Sequence, residues 1–431
     1  MASTLALRER LRTSLWFVPT LFAVGAVLLA VGLLALDHAL AGSAPSILFA
    51  FGGTAAGARS VLSTIAQSML TFTGLVFSIT MLVLQLASSQ LSPRVTRTFL
   101  RDRANQVVLG LFVATFVFTL VVLREVRTPV GADAGFVPAV SVWVAFALLL
   151  ASVGAFIYYI DHMAHAIRAS TVIESIWRET AAAIDRRLPM ADAQNAHAGR
   201  PSPDRVRGEG HLVLEAPSAG YLVSLDEEAI GAAVEGDGRF VELVPTIGAF
   251  VPEGGPLARL RGDWSGDAAD EVRQAIGIGQ ERTLEQDVAF GFRQLVDIAV
   301  RALSPGINDP TTAVQALDRI HDLLRRLVHR RFPPERRVTD RAMRLVVSRP
   351  AWPDFVRLAL DEIRIAGEGQ LQVARRLDGV LADLLEVAPA DRKSALLAQR
   401  AALDASVARS FPDAHDRAYV REVAEAAAAG R

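Results

Sequence analysis

Four stretches without a single charged residue fall within the first 160 residues of this chain, running Thr13 to Leu36, Ser60 to Pro93, Gln106 to Leu123 and Ala134 to Ile160. About 20 apolar residues rising 1.5 Å each cross a hydrocarbon core of ~30 Å. In lipid every backbone amide must be satisfied within the segment, so such runs fold as helices. A soluble protein rarely buries four of them in so short a span. The first is too long for the apolar core of a signal peptide, and Pro19 is tolerable near its start. The second is too long for an upright span, so the residues from Ser60 to about Ser68 are read as an interfacial or packed beginning. The expected fold class is an α-helical membrane protein with four transmembrane helices in residues 1–160.

Composition sets the remaining residues apart. Charged residues make up 21% of the chain and lie mostly after residue 160, which separates a membrane part from a soluble one. A formal net charge of -1 gives no reason to expect nucleic acid as a partner. There is no cysteine, which removes disulfides and thiolate chemistry, and Lys393 stands alone against 44 arginines. Short-loop basic residues set the orientation. Arg8, Arg10 and Arg12 precede the first run, and Arg94, Arg97, Arg101 and Arg103 form a basic membrane-interface cluster after the second. The first loop offers Arg59, and the third Arg124 and Arg127. Both termini are therefore expected in the cytoplasm of a bacterial inner (plasma) membrane, with the lipid bilayer as the first partner.

The second run carries an ordered polar pattern. Gln67, Thr71, Gly74, Ser78, Gln85 and Ser89 recur at helical spacing and form one stripe. Small and hydroxyl residues let helices approach and hydrogen-bond in lipid. The same stripe, repeated around an oligomer axis, would line a water-filled path. No charge lies within any run, which disfavours a carboxylate proton or sodium relay.

Beyond Ile160 the fourth helix is expected to continue over residues 161–188, with Tyr158 and Tyr159 in an aromatic belt and Asp161, His162, His165 and Glu174 forming a polar collar. Asp161 and His165 share a face but supply only two metal ligands. Residues 189–210 read as a linker rich in Pro, Gly and small polar residues. Short alternating runs over 211–262 predict a small β barrel or sandwich, and amphipathic helices fill 263–431. The segments "SAGYLVSLDEEAI" and "GAFVPEGGPLARL" resemble a biotinyl/lipoyl barrel-sandwich domain. That family's attachment lysine is missing, so no covalent biotin or lipoyl group is expected.

The most informative helical stretch is "GQERTLEQDVAFGFRQLVDIAVRALSPGINDPTTAVQALDRIHDLLRRL". Arg293, Asp297 and Arg301 stand four apart on one face, suited to alternating ion pairs. Pro305 and Gly306 interrupt the helix, Gly306 permitting a left-handed turn, and Asp309 followed by Pro310 begins the next one. As a candidate ligand set, Asp287, Asp297, Asn308 and Asp309 offer oxygen donors for a divalent cation such as magnesium or calcium. Ion pairs and helix caps at an interface explain the same residues. No phosphate loop or His-Glu zinc motif is present, and Ser304 has no adjacent base, so no catalytic residue is assigned.

The stretch from Glu281 to Ala313, with "TFTGLVFSITMLVLQLASSQLSPR" from Thr71 to Arg94, resembles an uncharacterised bacterial membrane-protein family, domain of unknown function 2254. The likeness covers nearly the whole chain. Its matched positions include Ser78, Gln85, Ser88, Ser89, Gln90, Ser92, Pro93 and Arg94, then Asp287, Phe290, Gly291, Asp297, Arg301, Pro305, Gly306, Asn308, Asp309 and Pro310. The resemblance implies the four-span anchor with a cytoplasmic domain, and no activity. Three function classes are compatible with the residues. The first is a homo-oligomeric ion channel or pore with a regulatory cytoplasmic domain. The second is a membrane-anchored scaffold or sensor of a small ligand or ion, without transport. The third, a metal-dependent membrane-bound enzyme, is demoted by the lack of a catalytic set. The oversized second span favours the first.

Overall fold

The computed structural model describes residues 16–40, 54–90, 103–128, 135–166, 168–190, 212–234, 239–332, 336–339 and 342–429. They form two compact units, dividing between Thr171 and Val172.

In the first unit, α1 (Phe17–Leu40), α2 (Ala55–Gln90), α3 (Arg103–Glu125) and α4 (Ala139–Ala166) coincide with the four uncharged runs. All four are long and apolar enough to cross a membrane. Helix α2 is continuous through the segment expected to lie at the interface, and its 36 residues span ~54 Å. Gly110 on α3 leaves room for Phe22 of α1, whose ring a Cβ there would meet at 3.0 Å. Helix α2 is held instead through larger side chains. Phe72 stacks on Phe156 of α4 at 4.9 Å, and the Tyr159 hydroxyl lies 2.9 Å from Thr80 Oγ1 and 3.0 Å from the Val76 carbonyl. Tyr159 is therefore an internal tie, not a member of an aromatic belt; Tyr158 is the exposed one, stacked on His162. Asp37, which ends the first uncharged run, is buried. It accepts hydrogen bonds from Val140 N, Ser141 N and Ser141 Oγ at 2.9, 3.0 and 2.6 Å, capping α4.

The second unit starts within α5 (Ala169–Arg187), a helix separate from α4. Then come β1 (Leu212–Glu215), β2 (Gly220–Leu225), α6 (Glu227–Ala233), β3 (Phe240–Leu243), β4 (Phe250–Val251), β5 (Pro256–Arg261), α7 (Gly266–Gln274) and β6 (Ile276–Gly279). Helices α8 (Val288–Ala302) and α9 (Pro310–Leu327) precede β7 (Arg336–Thr339) and β8 (Ala342–Val346). Four more helices close the chain: α10 (Trp352–Ala366), α11 (Leu371–Val387), α12 (Lys393–Ser410) and α13 (Ala414–Ala429).

The expected β barrel over 211–262 does not form. The strands make two open sheets, ordered β1-β5-β3-β8-β7 and β4-β2-β6, and neither closes on itself. Nor are they confined to that stretch. β6 pairs antiparallel with β2, while β8 lies parallel to β3, with Val241 opposite Leu345. A parallel partner needs a long crossover, here the helices between them. Leu214, Leu222, Val241, Leu260 and Leu345 share one core with Ile230 of α6 and Val272 of α7. Helices α6 and α7 thus supply apolar cover that a closed barrel would otherwise provide. The sequence concealed this because "IGIG" and "AMRLV" are short and distant from the other strands.

Candidate functional site

Helix α2 is two-sided. Leu62, Ile65, Met69, Val76 and Val83 are buried in the first unit, whereas Gln67, Thr71, Gly74, Ser78 and Gln85 face outward. Ser89 continues the stripe by its position on the helix. The hydroxyl hydrogens turn back onto the helix itself, Thr71 Oγ1 donating to the Gln67 carbonyl at 3.0 Å and Ser78 Oγ to that of Gly74 at 2.9 Å. The primary amides of Gln67 and Gln85 make no hydrogen bond among the described residues.

The second polar pattern is bonded within the second unit, with Asp287 buried and the turn from Pro305 to Asn308 exposed. Asp287 caps α8, Oδ1 accepting from Phe290 N at 3.0 Å, and Oδ2 pairs with Arg282 at 2.7 Å. Burial pushes this carboxyl above its usual value, although Arg282 and the cap amides pull it down. Gly248, at φ 86°, lies against the pair, where a Cβ would come within 2.1 Å of Asp287 Oδ2. Gln286 binds the end of β2, accepting from Leu225 N at 2.9 Å and donating to its carbonyl at 3.2 Å. Gly291 brings α8 onto α5, since any Cβ there would strike Thr180. Arg293 holds Asp297 at 2.7 Å and grips both carboxylate oxygens of Glu362 on α10. The hydrogen bonds it donates to Glu362 raise the guanidinium above its ordinary value.

After α8 the chain turns at Pro305 and Gly306, but the left-handed residue is Asn308, at φ 48°. The side-chain oxygen of Asn308, Oδ1, accepts from Gln370 Nε2 at 3.0 Å, steadying the turn against the start of α11. Asp309 caps α9 with Pro310 behind it. Its oxygens accept from Thr312 Oγ1 at 2.6 Å and Thr312 N at 3.1 Å, which hold the carboxyl below its usual value.

The model of a family described as predicted membrane protein (DUF2254) matches residues 12–383. This chain belongs to the DUF2254 family. Uncharacterized proteins of Mycobacterium bovis and Mycobacterium tuberculosis are each 34% identical to it over 425 residues, covering 96% of this chain and 80% of theirs. No solved structure matches it.

The polar residues of the two stretches that resemble the DUF2254 family thus differ in surroundings: the stripe on α2 faces outward, while the carboxylates of the second stretch are bonded to neighbours within the second unit. The four candidate ligands are not brought together: Asp297 lies ~15 Å along α8 from its capped end, and Asp287 and Asp309 cap successive helices. Among the described residues no three His, Asp or Glu side chains are placed to share a metal ion. Arg301 ends α8 on the exposed side, and Arg103 begins α3, also exposed. Arg94, Arg97 and Arg101 lie outside the described residues, as do 191–210 of the linker.

Sequence reading missed two features of this DUF2254 unit. Arg392 donates to the carbonyls of Leu327, Val328 and Arg330, ending α9, and lies over the rings of Phe332 and Trp352. His321 of α9 is bound on both ring nitrogens by α11. Its only sequence sign was a His and an Arg four apart in "RIHDLLRRL".

Proposed function

We propose that this DUF2254 protein is a homo-oligomer of the bacterial inner membrane whose α2 helices line a polar ion path, with the second unit as its cytoplasmic regulatory domain. The outward stripe on α2 supports this reading. An amide side chain facing hydrocarbon without a partner costs roughly 2–7 kcal/mol, so Gln67 and Gln85 favour an arrangement in which they meet water or another subunit. Placing α2 around a common axis gives every stripe residue such a neighbour while the Leu62 to Val83 face stays packed on α3 and α4. The basic residues of the tail and second loop support a cytoplasmic position for both termini.

The test is conductance of the full chain reconstituted in bilayers, comparing wild type with Ser78→Asp and Gln85→Glu. A pore gives currents whose size or ion preference changes in variants that still assemble. Assembled protein with no current, in wild type or variants, leaves the membrane-anchored scaffold or sensor, in which the stripe serves only to join helices. That alternative has its own support, since the carboxylates described in the second unit are engaged in holding its elements together.

A further inference from the structure

His321 sits between α9 and α11, about four-fifths buried, with both ring nitrogens engaged. Nε2 lies 2.7 Å from Asp383 Oδ2 and Nδ1 lies 2.9 Å from Arg376 Nη2. A guanidinium has only donors, so Nδ1 must be the bare, accepting nitrogen and Nε2 carries the single proton, donated to Asp383. The arrangement exists only for the neutral ring. A second proton would go on Nδ1 and point an N–H at the donors of Arg376, two like charges in contact.

We infer that the α9–α11 contact is a proton-operated joint: protonating His321 in mildly acidic conditions breaks its bond to Arg376 and loosens the two helices from each other.

The surroundings hold the ring neutral. Burial lowers its proton affinity, and Arg376 and Arg325 add to that against the pull of Asp383. Asp383 cannot easily compensate, since Arg325 also binds it. Burial pushes the Asp383 carboxyl up, but its hydrogen bonds from Arg325 and His321 outweigh this and leave it below its usual value. Arg376 is fixed in place by Asp318 on α9. The charged groups that act on the ring thus come from α11 and from α9 itself. On the other elements packed around α9, Arg293, Asp297 and Glu362 pair with one another on α8 and α10, and Glu174 of α5 holds Arg319. Because neither nitrogen is free, this Asp–His pair is unsuited to general-base chemistry, and a switching role uses all its contacts.

The sign is fixed by the depressed folded-state value. The joint's contribution is complete above pH about 6.5, the ordinary histidine value, and is lost as pH falls through the lower value of the folded protein. One proton changes the opening equilibrium by at most about tenfold per pH unit.

The test is hydrogen exchange by mass spectrometry on the full-length protein in nanodiscs, from about pH 7.5 down to 5, corrected for the intrinsic pH dependence of exchange. Wild type should show several-fold faster opening of α9 and α11 peptides at the acidic end, with α2 peptides unchanged as the internal control. His321→Gln keeps an acceptor and a donor but cannot titrate, and should remove the acid response. Arg376→Gln leaves the ring but removes the facing cation, and should also flatten it, which decides the matter if the first variant does not fold. Acid opening that persists in either folded variant, or none in wild type, overturns the joint. None of these outcomes depends on whether the protein conducts ions.

Discussion

The stripe on α2 and the motif from Arg282 to Asp309 are both polar patterns at helical spacing, yet they end in opposite environments. In the second unit each of the carboxylates Asp287, Asp297 and Asp309 has found a partner: Arg282, Arg293 and Thr312. In the membrane unit the Thr71 and Ser78 hydroxyls are satisfied by their own helix, and Gln67 and Gln85 are exposed. A polar residue that completes its bonding inside the chain is explained by the fold. One that is left facing lipid calls for something outside the chain. By that criterion the motif with more conspicuous chemistry is the structural one, and the plainer stripe is the candidate for function.

If the motif is structural, breaking it should unfold the second unit. The largest effect is expected for Asp287→Ala, which removes the cap of α8 and leaves Arg282 without its carboxylate in a mostly buried place. A loss of about 2–4 kcal/mol is expected, toward the lower side because Arg282 keeps some contact with water. Asp287→Asn retains an acceptor for Phe290 N and avoids the cost of a buried charge, so it should lose clearly less. Denaturant unfolding of the full chain in detergent, followed by tryptophan fluorescence, measures both. An Asp287→Ala protein of wild-type stability would make this carboxylate a ligand candidate again.

A smaller loss is expected at the next cap. Asp309→Ala should cost about 1 kcal/mol, the ordinary value of a helix N-cap. Its acid dependence has a definite sign. Hydrogen bonds from Thr312 hold the folded carboxyl below the unfolded value of 3.8. Its contribution is therefore present above that value and lost as pH falls through the folded one. Asp309→Asn, still able to cap, should keep most of the neutral-pH stability while losing this acid-dependent part.

The legible parts of the sequence were those governed by local rules. Four uncharged runs dictated α1 to α4, and Asp309 followed by Pro310 marked the start of α9. What the sequence concealed depends on contacts between distant residues. Asp37 caps α4 across about a hundred residues, and no local pattern announces it. β3 meets β8 after a crossover of similar length, so an open sheet was mistaken for a closed module. The left-handed turn fell at Asn308 and not Gly306, since Asn308 can hydrogen-bond Gln370 there and glycine cannot. The stripe itself was readable from spacing. Whether it faced the bundle or the outside was not, because that depends on which face α3 and α4 accept.

The smallest effects on folding are expected on that stripe, and they test the contrast most directly. Ser78→Ala removes a hydroxyl whose hydrogen is already returned to the Gly74 carbonyl, so the stability of the membrane unit should change by less than about 0.5 kcal/mol. Gln85→Leu separates the two environments more sharply. If the outward face meets only lipid, replacing an unpartnered amide by an apolar side chain should stabilise the chain and leave its oligomeric state untouched. If the face meets a second copy or a water-filled path, the same change removes a group that the assembly uses, and the oligomer should weaken by mass measurement in nanodiscs while the single chain stays folded. A more stable Gln85→Leu protein with unaltered assembly would place both polar patterns in the same category, as parts of the scaffold.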